Sequence, residues 1–73
     1  MNTKSLNRSI GLAMSALQQA RAYGYSALAI DFIRRALRWL NKARACLKSG
    51  EVDRARLFAT TAHEQIKCAL IAR

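Results

Sequence analysis

The stretch that decides the fold is DFIRRALRWLNKARACLKSG, residues 31–50. At about 100° per residue, Ile33, Ala36, Leu37, Trp39, Leu40, Ala43, Cys46 and Leu47 fill one half of a helical wheel. Arg34, Arg35, Arg38, Asn41, Lys42, Ala45 and Lys48 fill the other half, and Arg44 sits at the apolar edge with its stem on the core and its head toward water. An apolar arc this wide suits a central helix that touches two neighbours. Gly50 stops the helix, since glycine readily takes the left-handed conformation a helix end needs.

Working outward, Gly24 marks a second stop, and the chain has only three glycines and no proline. Before Gly24, Leu6, Ile10, Ala13, Leu17 and Ala20 recur at three and four residues, one face of a first helix capped by Asn2 or Thr3, with Met14 beside the stripe. Ser26 is placed to cap the second helix. After Gly50, Glu51 and Asp53 bring carboxylates to the positive end of a third helix dipole. The inner face of that helix reads as Val52, Ala55, Phe58, Ala59, Ala62, Ile66, Ala69 and Leu70. Helices are expected at about 4–23, 26–49 and 51–72. Links of one to three residues make neighbours antiparallel. The expected fold is therefore all-α: a single domain, residues 1–73, forming a small up-down-up three-helix bundle whose many Ala positions bring the helices close.

A chain of 73 residues that is 52% apolar can form one small core. Chains of this size bury only about 60% of their unfolded surface, so self-association is a live expectation. No run of 18 apolar residues reads as a membrane span. The basic, Ser-containing N-terminus is interrupted by polar residues and lacks the apolar core of a secretory signal.

The net charge is +9, with 13 Lys and Arg against four acids. Such a balance favours an anionic partner: nucleic acid, an acidic protein surface or anionic lipid. Arg34, Arg35, Arg38, Lys42, Arg44 and Lys48 would form a stripe about 20 Å long on the open side of the second helix. A merely solvated surface usually mixes charge signs, whereas the only acid of this stretch is Asp31. Tyr23 and Tyr25 are the aromatic residues open to base stacking or to anchoring the first turn. Trp39 and Phe58 read as core.

Catalytic chemistry is thin, and no cofactor or metal is expected. There is one His and no Gly-rich phosphate loop. Asp31 is too far along the chain from Glu51 and Asp53 for an acid–base pair. Cys46, Cys68 and His63 lack zinc-ligand spacing. In an antiparallel hairpin turning near Gly50, Cys46 and Cys68 lie about 20 Å apart, too far for a disulfide, which points to reduced thiols and a cytoplasmic setting. Cys68 shares the outer side of the third helix with Leu57, Thr61 and Ile71, a surface for a partner or a second copy. His63 borders the buried arc, which predicts a packed, hydrogen-bonded imidazole.

From about residue 36 to 71 the sequence resembles two helical-hairpin families. Trp39, Ala43, Gly50, Ala55, Ala59 and Ala62 fall where the tetratricopeptide repeat places an aromatic, small residues, a turn and second-helix alanines, here as one copy. Gly50, Ala55, Ala59, Ala62 and Glu64 are similar to the last hairpin of HEPN bundles, which are usually longer and carry a fourth helix. Some HEPN members are ribonucleases with an Arg and a His on that helix, matched here by Arg56 and His63 with six residues between them and with Leu57 in place of the usual polar residue. That resemblance implies RNA cleavage across a dimer, with Arg56 steadying phosphate and His63 near the scissile bond.

Three functions follow as expectations. The first is a non-enzymatic module that binds an anionic partner, foremost nucleic acid, through the basic stripe. The second is a protein–protein adaptor, inhibitor or small regulator acting through a helix face or by self-association. The third is a HEPN-like ribonuclease. Action at a membrane surface is a further alternative, though the apolar half of the second helix is better used against the other two helices.

Overall fold

The structure, a computed structural model, describes residues 2–73. Three helices account for almost all of them: α1 (Thr3–Ala22), α2 (Ala27–Lys48) and α3 (Val52–Ala72). The start of α1 is fixed by the Asn2 side chain, whose Oδ1 accepts from the Ser5 amide at 2.8 Å. Of the two residues the sequence offers for that cap, Asn2 serves and Thr3 is the first helical residue.

Both hairpin turns use the same device. Gly24 and Gly50 have φ of 70° and 82°. The amide after each glycine returns to a carbonyl in the last turn of the preceding helix: Tyr25 to Ala20 at 2.9 Å and Glu51 to Cys46 at 2.8 Å. The glycine amides bond to the Arg21 and Leu47 carbonyls, so that orphan helix-end acceptors are satisfied.

Two long-range bonds fix the up-down-up order. Ser26 Oγ donates to the Ala72 carbonyl at 2.7 Å, joining the start of α2 to the end of α3. Arg44 on α2 donates to Asn7 Oδ1 on α1 at 3.1 Å, joining the end of α2 to the start of α1. Ser26 Oγ also accepts from the Ala29 amide, so one hydroxyl both caps α2 and ties down α3. Ser26→Ala should cost about 1–2 kcal/mol, at the upper end for a lost cap because two bonds go together. Thermal unfolding followed by circular dichroism would read this. A change within experimental error would mean that the bridge to Ala72 contributes nothing in solution.

The core is built on three- and four-residue steps and their multiples in every helix. Leu6, Ile10, Ala13 and Ala20 are buried on α1; Ala29, Ile33, Ala36, Leu40 and Ala43 on α2; Ala55, Ala59, Ala62 and Ala69 on α3. This spacing keeps a seam facing its partner along near-parallel helix axes. Ala dominates these positions, so backbones can approach closely. Larger side chains fill the flanks: Trp39 stacks beside Phe58 with ring centroids 5.3 Å apart. Both are half-buried against the core, as are Leu37, Cys46, Leu47 and Ile66.

The bundle is open on one side. α2 packs extensively on both α1 and α3, whereas α1 and α3 scarcely touch each other. Three expectations for α3 are corrected by this arrangement. Val52 and Leu70, expected on the inner face, are exposed; Leu70 is 53% accessible. His63, expected to be packed and hydrogen-bonded, is exposed and makes no hydrogen bond among the described residues. The cause is common to all three. A helix that touches only one neighbour buries a narrow stripe, and α3 spends its stripe on α2.

Candidate nucleic-acid interface

The candidate site lies on the side of α2 that neither α1 nor α3 covers. Arg34, Arg35, Arg38, Lys42 and Lys48 are exposed there. The helix carries them from Arg34 to Lys48, a rise of 14 residue steps, so they form a ridge about 21 Å long.

Two of these cations are held over aromatic faces. Arg35 lies 5.3 Å from the centre of the Phe32 ring, and Lys42 lies 4.8 Å from that of Trp39. Such interactions contribute about 0.5–1 kcal/mol at exposed sites and restrict where the charged head can go. Arg35, Arg38, Trp39 and Lys42 together line a shallow hollow of about 260 Å³. One edge of the stripe is thus partly organised, with three cations around a hollow that Trp39 also lines.

Arg44 behaves differently. It is half-buried. Its two terminal nitrogens donate to Asn7 Oδ1 at 3.1 Å and to Asn41 Oδ1 at 3.0 Å. Asn41 itself donates back to the Leu37 carbonyl. Arg44 therefore clamps α1 to α2, and its guanidinium is already satisfied on two edges. Five cations of the stripe remain free of side-chain hydrogen bonds among the described residues.

Little negative charge offsets them. The one ion pair among the described residues, Arg54 to Glu51 at 3.3 Å, lies at the start of α3 and is solvent-exposed. Asp31 is one turn from Arg34 and Arg35 and pairs with neither. Asp53 and Glu64 belong to α3.

The remaining site residues are dispersed. Arg56 and His63 are both exposed on α3. Their seven-residue separation places them on one side of that helix. They do not adjoin the basic stripe, because α3 turns this side toward α1. Leu57, Cys68 and Ile71 are exposed on the outer side of α3, with Ile71 86% accessible. Thr61 is half-buried between them and donates its hydroxyl to the Leu57 carbonyl at 3.0 Å, so it offers little hydrogen bonding to a partner. Cys46 is half-buried and Cys68 exposed, both as free thiols. Tyr23 is exposed at the first turn, while Tyr25 packs against the lower core cluster with Leu17 and Phe32. Among the described residues, no helix is long and apolar enough to cross a membrane, and no cluster of His, Cys, Asp and Glu could hold a metal ion.

One surface is not apparent from the sequence. Leu12 and Ala16 form a second apolar row on α1 beside the main stripe, and they line a hollow between α1 and α3. The four-residue step from Leu12 to Ala16 is the local signal, but it marks a surface only once α3 is known to stand away from α1.

The site and scaffold together define a small, basic, all-α three-helix bundle. Compared with protein-family models, with curated proteins and with solved structures, the chain matches none.

Proposed function

We propose that this protein is a non-enzymatic binding module whose α2 ridge engages the phosphate backbone of nucleic acid. The observation that carries this reading is the row of five exposed, unpaired cations on one helix side, with Asp31 as the single acid of that helix. Arg suits phosphate because its planar fork makes two parallel hydrogen bonds. Few free aromatic faces adjoin the ridge, since Trp39 and Phe32 already carry cations. Binding would therefore be directed at the backbone and tolerate many sequences.

The test is a fluorescence anisotropy titration of labelled DNA and RNA across a salt series. If all five cations neutralise phosphates, log affinity should fall against log salt with slopes of about −4.5 on duplex DNA and −3.5 on single strands. No binding at low salt would remove the proposal.

A second reading, a protein adaptor, is favoured by the exposed Leu57, Cys68 and Ile71 on α3, which carry more apolar surface than a solvated face requires. The ribonuclease reading rests on Arg56 and His63 alone. It would be favoured over simple binding by scission of the probe that His63→Ala abolishes.

A further inference from the structure

The separation of α1 from α3 leaves a groove with a definite composition. Its larger part has a cavity volume of about 220 Å³ and is bordered by Leu12, Ala16, Leu40, Ala62, His63 and Ile66 among others. A second hollow of about 120 Å³ continues it toward Tyr25 and Leu70, and the two share Ala16 and Ile66. The floor is α2, through Leu40 and Ile33; the walls are α1 and α3. Along α1 the groove runs from Ser9 to Gln19, about 15 Å at 1.5 Å per residue. That is about three turns of a helix.

The rims carry charge of one sign. Arg8 stands one turn before Leu12. Arg56 stands two turns before His63, and Lys67 one turn after it. All three are exposed. No acid lines either hollow.

We infer that this groove is a docking site for an amphipathic helix of another protein, with a small-to-medium apolar stripe and acidic flanks. The shape selects a rod over a flat surface: an apolar floor sunk between two parallel helices is reached by another helix, whereas a bilayer meets only the rims. Lateral placement of a fourth helix there completes a four-helix bundle, with apolar residues at three- and four-residue steps as anchors. The charge selects the flanks. Arg8, Arg56 and Lys67 repel basic partners, including a second copy of a chain with net charge +9. The groove is independent of the α2 ridge. Arg38 and Leu40 lie about 200° apart on the helical wheel, so the ridge and the groove floor occupy opposite sides of α2.

The experiment uses the full chain, isotopically labelled, with two synthetic helical peptides that share one Leu/Ala stripe and differ in Glu or Lys flanks. The Glu-flanked peptide is expected to shift amide resonances of Leu12, Ala16, Ala62, His63 and Ile66, and to bind about tenfold or more tightly than the Lys-flanked peptide at low salt. Leu12→Glu should weaken it by a similar factor; Leu12 is 67% accessible, so the fold should tolerate the change. The doubly reversed variant Arg8→Glu/Lys67→Glu should switch the preference to the Lys-flanked peptide, while Leu57→Glu on the far side of α3 should change nothing. Absence of groove shifts with either peptide at about 1 mM overturns the inference. So does equal binding of both peptides. So does a concentration-dependent dimer whose groove resonances are already protected, which would assign the groove to a second copy, or a response of those resonances to anionic vesicles alone.

Discussion

Replacing Arg34, Arg35 and Arg38 together with Ala should reduce affinity for duplex DNA on the order of 500-fold at 0.1 M salt, with little change in stability. The magnitude follows from counterion release. Each phosphate neutralised adds about 0.9 to the slope of log affinity against log salt on a duplex. Each cation removed therefore forfeits a factor of about eight at 0.1 M relative to 1 M, and three together forfeit about 500. On single strands, where the increment is about 0.7, the reduction should be about 100-fold. The slopes themselves should flatten by about 2.7 and 2.1. The three side chains are exposed and make no ion pair among the described residues, and Ala favours a helix at least as well as Arg. Loss of the Arg35 contact with Phe32, worth about 0.5–1 kcal/mol, is offset by the better helix propensity of three alanines, so the variant should unfold near the wild-type temperature. Arg44→Ala makes a useful contrast. It breaks the bonds to Asn7 and Asn41, so it should lower stability while leaving the salt slope nearly unchanged. If the triple variant binds as the parent does, with the same salt slope, the ridge is not the phosphate-binding surface.

The largest effect on stability is expected at Leu40. Its side chain is only 2% accessible. It sits in the upper core cluster with Leu6 and Ile10 of α1 and with Ala59 and Ala62 of α3. One large residue on the central helix is thus shared by both interfaces. Leu→Ala substitutions in cores cost about 2–5 kcal/mol, depending on how far the site can collapse. Collapse is limited here, because the buried neighbours on α3 are alanines with no longer side chain to swing inward. A domain of this size has roughly 3–5 kcal/mol in total. Leu40→Ala should therefore leave a substantial unfolded fraction at 25 °C, read as a lost cooperative transition in circular dichroism or a large drop in the urea midpoint. Leu57→Ala, at an equally apolar but exposed position, should stay within about 0.5 kcal/mol of the parent. Equal stability of the Leu40 and Leu57 variants would contradict the packing of α1 and α3 onto α2.

Much of this protein is set by local sequence. Gly24 and Gly50 take φ values that other residues adopt only at a cost, and no competing turn signal lies nearby, so both hairpins and all three helices can be placed to within a residue or two. Ser26 is identifiable as a cap because the residues after it supply the apolar rhythm of α2. Which residues of α2 carry the exposed charge is also legible, since that helix is long, regular and divided cleanly into two halves. Local sequence is insufficient where a residue's environment depends on a helix distant in the chain. His63, Val52 and Leu70 border the stripe of α3, and periodicity assigns them inward if a neighbour stands on that side. Only the tertiary arrangement decides that α1 stands away from α3, which exposes these three residues and opens the groove beside Leu12. The wheel alone puts Arg44 at the apolar edge, but its bond to Asn7 spans 37 residues of sequence. A helical wheel fixes direction around one axis. Whether that direction meets water, a carbonyl or another helix is settled by how closely the Ala-lined seams let the three axes approach, and that is a property of the assembled bundle.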